Sequence, residues 1–190
     1  TALNDAWLIG GNLWGLGTAA LRLGQVERAE GLLAECLTEA QDLGNPLALA
    51  STIEILGELE WARGNPGRAT ELIEEALVMF RDQNVPWGVI GSLESLAIIE
   101  QAHGRSERAL RLLAATTAHR ETIGLKRPPV ADVAHEQTLA AIRAALSEDR
   151  FAARGAEGSA LRLPEATVYA LTDLLPAAAE EADHPRRRDS

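Results

Sequence analysis

Three glutamates have a spacing that could support chemistry. Glu54 and Glu58 lie four residues apart, so a helix would place both carboxylates on one face. Glu94 follows Glu54 by forty residues, which is also the spacing of other matched residues in this chain. Paired carboxylates can act as acid and base in glycoside hydrolysis where the surroundings raise one pKa. When they stay ionised, they instead favour binding of a basic partner, for which Trp14 and Trp61 would supply aromatic anchors.

Other catalytic or metal-binding patterns are missing from the sequence. The four histidines do not have the paired spacing that zinc sites need: His103, His119, His135 and His184. No glycine loop followed by Lys-Ser or Lys-Thr is present, so we expect no nucleotide site. Cys36 is the only cysteine, and we expect it to be a buried structural thiol. The sequence therefore predicts no cofactor, no metal and no catalysis.

Composition narrows the class of partner. The formal net charge is −10, from 18 basic and 28 acidic residues, which argues against binding to a nucleic-acid backbone or an anionic membrane. No apolar stretch approaches the ~20 residues that span a bilayer. With a single cysteine, the composition fits a reducing compartment, and we expect a cytoplasmic protein.

The carboxylates belong to a block of about forty residues that occurs three times. The matched positions include Leu16-Gly17, Leu56-Gly57 and Leu96-Ala97, as well as Gly24, Gly64 and Gly104. A fixed period in this range is typical of solenoids, in which each unit buries its apolar face against its neighbours. We therefore predict an all-α chain with repeats at about 5–44, 45–84 and 85–124.

Each repeat is predicted to form two helices joined by a short turn. Glycines in the left-handed conformation at residues 24, 64 and 104 are expected to end the first helix of each repeat. The predicted repeat helices are Asp5–Leu23, Val26–Leu43, Pro46–Arg63, Gly67–Asp82, Pro86–His103 and Ser106–Ile123. A mid-helix glycine costs ~1 kcal/mol against alanine. Gly17 and Gly57 therefore indicate close helix contacts, for which Ala29, Ala69 and Ala109 are the expected neighbours.

The repeat ends after Gly124. We predict a helical capping segment over 125–175, with helices at Val130–Leu146, Glu148–Ala156 and Leu163–Leu175. The second of these helices is expected to end near Gly155 or Gly158. In the first of these helices, Val133, Leu139, Ile142 and Leu146 are the expected apolar positions. Residues 176–190 are rich in Ala, Glu and Arg, and we expect a mobile tail there.

The spacing resembles the tetratricopeptide repeat. Its characteristic positions match Leu13, Leu16, Gly17, Ala20, Gly24, Ala29, Leu33 and Cys36, and matching residues recur in the next two repeats. The period of about forty, rather than 34, is similar to the repeats of large bacterial regulators of the LuxR/MalT and AfsR types. Residues 108–171 resemble the segment that closes the array in actinobacterial members. This resemblance implies a right-handed α-solenoid with a non-repeat cap, and a nucleotide-hydrolysing switch domain elsewhere in the protein. In LuxR-type members a DNA-binding domain follows, but residues 172–190 are too short and too acidic for one.

In such an array the first helix of each repeat lines the concave groove. We predict that the groove is formed by Trp14, Thr18, Leu21, Arg22, Glu54, Glu58, Trp61, Glu94, Ile98 and Gln101. Carboxylates beside tryptophans would suit a basic or amphipathic peptide. An open, solvated array would not raise a carboxyl pKa, so the groove is expected to bind and not to catalyse.

The function predicted on these grounds is a non-catalytic interaction or sensor module of a bacterial transcriptional regulator. Its groove would bind a partner protein, part of its own chain or a small-molecule inducer. The alternative is a stand-alone scaffold that joins peptides or forms a homodimer through an exposed end of the array.

Overall fold

The computed structural model describes residues 2–127 and 129–172, with side chains described for 10–127 and 131–172. The tail predicted over 176–190 lies outside these residues. All regular secondary structure in the described part is helical, which confirms the all-α prediction. The helices are α1 (Ala2–Arg22), α2 (Val26–Asp42), α3 (Pro46–Ala62), α4 (Pro66–Asp82), α5 (Pro86–Ala102), α6 (Ser106–Ile123), α7 (Pro129–Ala145), α8 (Glu148–Ala160) and α9 (Leu163–Thr172).

Residues in the left-handed conformation follow the ends of α1 to α6 at a constant spacing. Positive φ angles occur at Gly24, Gly44, Gly64, Asn84, Gly104 and Gly124, one every twenty residues. After each of them, the next backbone N–H returns to a carbonyl five residues earlier, as from Asn65 to Glu60 at 2.9 Å. This bond closes the helix in a Schellman motif. The predicted glycine stops are confirmed, and Asn84 takes the place of a glycine in the same series.

The mid-helix glycines lie at close contacts, as predicted. A Cβ on Gly57 would come within 2.6 Å of Ile73 Cγ1 and 3.2 Å of the Ala69 carbonyl oxygen. A Cβ on Gly17 would come within 2.9 Å of the Leu33 side chain. The expected partner Ala69 is fully buried, as are Ala29 and Ala109. The closest contacts, however, are made by the residues four positions after these alanines, Leu33 after Ala29 and Ile73 after Ala69.

Successive helices pack against one another from α1 to α6. The odd-numbered helices also touch in order, α1 with α3, α3 with α5 and α5 with α7. We call the surface shared by α1, α3 and α5 the first-helix face. The fully buried large side chains come mostly from the second and third repeats, among them Leu59, Ile73, Leu77, Phe80, Ile90, Leu93, Leu112 and Leu113. Burying each such side chain contributes about 1.5–3 kcal/mol.

Helix α8 covers the outer side of α6. A Cβ on the buried Gly158 would be 2.4 Å from the Arg111 carbonyl oxygen, so the two backbones are in direct contact. Ion pairs from Arg154 to Glu107 (2.9 Å) and from Arg111 to Glu157 (2.7 Å) flank this contact. The helix was expected to end near Gly155 or Gly158. It continues to Ala160, because Gly158 serves close packing inside α8 and does not stop it.

Helices α7 and α9 both pack against the two helices of the third repeat. Helix α9 contacts α4, α5 and α6, and the Ala170 carbonyl accepts a 2.7 Å hydrogen bond from Arg108. Helix α7 lies against α5 and α6 through the fully buried Ile142 and the partly buried Leu139. Val133, predicted to be on the apolar face, is 59% exposed. Val133 is therefore not part of the contact between α7 and the third repeat.

Candidate binding site

Polar contacts join the three helices of the first-helix face. The Ser92 hydroxyl on α5 donates a 2.7 Å hydrogen bond to Glu54 Oε1 on α3. Arg22 at the end of α1 approaches Glu58 on α3 at 2.6 Å, and Ser95 on α5 donates to the same carboxylate at 3.5 Å. Glu54 and Glu58 thus lie on one surface, and each contacts a neighbouring repeat.

Burial, together with the charge of Glu58, raises the pKa of Glu54 to about 8, although the hydrogen bond from Ser92 opposes the increase. Glu54 is thus mainly protonated at neutral pH. The expectation that an open array would leave carboxyl pKa values unraised is wrong. The small residue Gly91 allows this arrangement, since a Cβ there would lie 3.1 Å from Glu54 Oε1.

Burial also raises the pKa of Glu58, although the charge of Arg22 and the hydrogen bond from it oppose that effect. The Arg22 side chain remains 43% exposed and Glu58 21% exposed, so this ion pair borders solvent. A ligand could therefore reach both partners of the pair.

Glu94 is held by two arginines of its own chain. Arg120, near the end of α6, donates two 2.8 Å hydrogen bonds, and Arg127 donates two, of 2.9 and 3.3 Å. Burial alone would raise the pKa of Glu94, but these arginines outweigh it and the pKa is lowered. The charge of Glu94 is therefore balanced locally by Arg120 and by Arg127, which also pairs with Asp132 at 3.5 Å.

A cleft of about 410 Å³ lies between the first-helix face and α7. Five of the predicted groove residues line it: Leu21, Arg22, Glu58, Trp61 and Ile98. The wall opposite comes from Ala134, Gln137 and Thr138 of α7, and Ser95 also contributes. The contribution of α7 to the cleft was not predicted from the sequence. That helix lies outside the repeat, so the forty-residue spacing does not indicate which surface it packs against.

The remaining predicted groove residues do not line this cleft. Trp14 lies in a separate, mostly apolar hollow of about 280 Å³, beside Cys36 and Trp87, and its indole N–H donates to the Ser51 carbonyl at 3.2 Å. The Thr18 hydroxyl donates to the Trp14 carbonyl at 2.8 Å. Glu54, Glu94 and Gln101 border neither hollow. The structure does not bring Trp14 and Trp61 into one groove.

These contacts change the electrostatic character of the predicted acidic groove. Glu54 is mostly neutral, Glu58 is paired with Arg22, and Glu94 is paired twice. The charge that would attract a basic peptide is therefore balanced within the chain. Across the part of the chain that the structure describes, no three His, Cys, Asp or Glu side chains are grouped to hold a metal ion.

Within the described helices, none combines the length and hydropathy of a membrane-spanning segment. Comparison of the chain with protein-family models, curated proteins and solved structures finds no match in any of the three.

Proposed function

We propose that this chain is a non-catalytic sensor module whose cleft between the first-helix face and α7 binds a small, uncharged or amphiphilic molecule. The observation that carries this proposal is the cleft itself. Its volume of about 410 Å³ falls in the ~300–1,000 Å³ range of small-molecule sites. Trp61, Leu21 and Ile98 supply apolar surface, while the Arg22–Glu58 pair and Gln137 supply polar groups at the rim.

The position of α7 favours a small molecule over a long peptide. A peptide lying along the first-helix face would have to displace α7, which is anchored there by the buried Ile142 and Thr138. A small molecule would instead contact both walls and so favour the arrangement in which α7 is docked. In this proposal, α7 occupies part of the surface on which a partner was expected to bind.

The proposal also includes the kind of protein in which this module acts. The resemblance to LuxR/MalT- and AfsR-type regulators supports a right-handed tetratricopeptide-type solenoid in a cytoplasmic transcriptional regulator, where ligand binding would shift a switch domain. A nucleotide-hydrolysing domain encoded in the same polypeptide would support that context, and its absence from the full gene would count against it.

Binding in the cleft can be tested by NMR with the indole N–H signals of the tryptophans as reporters. A fragment library of uncharged and zwitterionic molecules should contain ligands that shift the Trp61 signal and leave the Trp14 signal in place. Ala134→Phe fills the cleft from the α7 side and should abolish the Trp61 shift. Ala140→Phe, at an exposed position of the same helix, is the matched control and should retain it. A library without any ligand that shifts Trp61, or binding that survives Ala134→Phe, would contradict the proposal.

A further inference from the structure

A groove of about 400 Å³ lies between α2 and α4 and exposes one side of α3. We call it the α2–α4 groove, and it shares no residue with the cleft between the first-helix face and α7. Its apolar surface comes from all three helices: Leu37 of α2, Leu49, Ile53 and Leu56 of α3, and Leu72 of α4. Leu37, Leu49 and Leu56 are only partly buried. The first two repeats therefore leave an apolar groove open to solvent.

One repeat later, the equivalent groove is filled by α9. The residues forty positions after the three partly buried leucines are almost completely buried: Leu77 (0% exposed), Val89 (5%) and Leu96 (3%). They belong to α4 and α5, and α9 contacts both of these helices as well as α6. Ala166 and Ala170, four residues apart on one side of α9, join the same core cluster. A helix of ten residues thus covers the second groove.

Arg108 marks the C-terminal end of α9 in the second groove. It donates a 2.7 Å hydrogen bond to the Ala170 carbonyl in the last turn of α9, where carbonyls lack partners within the helix and attract a cation. Arg68 occupies the equivalent position of the α2–α4 groove, and its side chain is 57% exposed. A helix that entered the open groove in the direction of α9 would place its last carbonyls at Arg68.

The two grooves differ in charge beside this arginine. Arg111 donates a 3.2 Å hydrogen bond to the Tyr169 hydroxyl of α9, whereas the equivalent residue of the open groove is Glu71, whose side chain is 67% exposed. One turn further along α4, Glu75 lines the open groove at the position that Ala115 has in the next repeat. Two carboxylates therefore replace an arginine and an alanine. An occupant of the open groove would be held best by a basic residue where α9 has Tyr169.

We propose that the α2–α4 groove binds a short basic amphipathic helix of a partner protein, oriented as α9 is in the second groove. The matching helix has small apolar residues four positions apart, as Ala166 and Ala170 are, with Arg or Lys immediately before the second of them. The chain's own α9 does not reach this groove, since only Leu161 and Arg162 separate it from α8, which is packed on α6. The inference is independent of the ligand proposed for the cleft.

A synthetic peptide with the sequence of residues 161–172 and the change Tyr169→Arg is the probe, and the same peptide with Tyr169→Glu is its control. In an NMR titration of the isotope-labelled chain, the Tyr169→Arg peptide should bind with a Kd of roughly 0.1–1 mM, as expected for a small interface. The Tyr169→Glu peptide should bind about fivefold more weakly. Backbone amide shifts should be confined to residues 37–41, 49–60 and 68–75. The indole N–H signal of Trp61, which lies in the cleft, should not move.

Charge reversal in the chain tests the role of Glu71. Glu71→Arg should reverse the preference, so that the Tyr169→Glu peptide binds about fivefold more tightly than the Tyr169→Arg peptide. Glu136→Arg, at an exposed position of α7, is the matched control and should leave both affinities unchanged. An unchanged preference in Glu71→Arg, or no shift with the Tyr169→Arg peptide up to about 2 mM, would overturn the proposal.

Sedimentation equilibrium without peptide distinguishes a partner protein from a second copy of the chain. The parent chain and Glu71→Arg should sediment alike, because the groove is assigned to another protein. Self-association that Glu71→Arg weakens would show that a second copy fills the α2–α4 groove, and would overturn the assignment to a partner protein.

Discussion

Ser92 Oγ donates a 2.7 Å hydrogen bond to Glu54 Oε1, so the second and third repeats are tied together through a carboxyl group whose pKa is raised to about 8. Because the folded state resists ionising this group, Glu54 contributes stability at acidic pH. That contribution is complete below the unfolded-state pKa, near 4.5, and is lost as the pH rises through about 8.

We therefore expect Glu54→Gln to stabilise the protein at alkaline pH and to have little effect at acidic pH. The amide still accepts from Ser92 but cannot ionise, so the free energy of unfolding should rise by about 1–2 kcal/mol at pH 9 and change by less than about 0.5 kcal/mol at pH 4.5. Urea denaturation at both pH values measures this. An equal change in the free energy of unfolding at both pH values would show that ionisation of Glu54 does not cause it.

The contact between α8 and α6 depends on Gly158. We expect Gly158→Ala to push α8 away from the Arg111 carbonyl and to cost about 2–4 kcal/mol, since the added Cβ would meet backbone that cannot move aside locally. Hydrogen exchange should rise over residues 148–172, which contact the third repeat through this helix and α9.

Gly155→Ala is the matched control on the same helix. A Cβ there meets nothing within 4 Å, so alanine should stabilise the protein by about 0.5–1 kcal/mol through its helix propensity. If both substitutions have the same effect, close packing at Gly158 is not what holds α8.

The pairing of Glu94 with Arg120 and Arg127 should fix the turn that leads into α7. Glu94→Gln leaves the largely buried guanidinium group of Arg120 without its carboxylate partner and leaves Arg127 with only Asp132, 3.5 Å away, so we expect a loss of about 2–3 kcal/mol together with faster exchange in residues 124–138. The matched control is Glu71→Gln. That residue pairs with Arg68 at a site where both side chains are more than half exposed, and the change should stay within about 0.5 kcal/mol. Equal losses would mean that the Glu94 pairs behave as surface salt bridges.

The helices could be predicted from the sequence, both in the repeats and in the capping segment, whereas the side-chain contacts between helices could not. Helix ends were placed within a few residues because left-handed positions such as Gly64 and Gly104 are local signals. The charge state of the groove was not predictable, because Arg127 lies beyond the third repeat and reaches Glu94 only after the chain has turned back. Likewise, Trp14 and Trp61 lie in different hollows because each packs against different side chains. The position of a residue within the repeat does not determine those neighbouring side chains.

Asn84 provides a test of the twenty-residue series, because it has φ 54° at a position where residues 44 and 124 are glycine. Asparagine adopts this conformation more easily than other residues with a Cβ. Asn84→Gly should therefore leave the free energy of unfolding within about 0.5 kcal/mol of the parent, whereas Asn84→Ala should lose about 1 kcal/mol. Urea denaturation of the two variants at one pH separates them. If alanine were tolerated as well as glycine, the left-handed conformation would not be what ends α4 and sets the start of the third repeat.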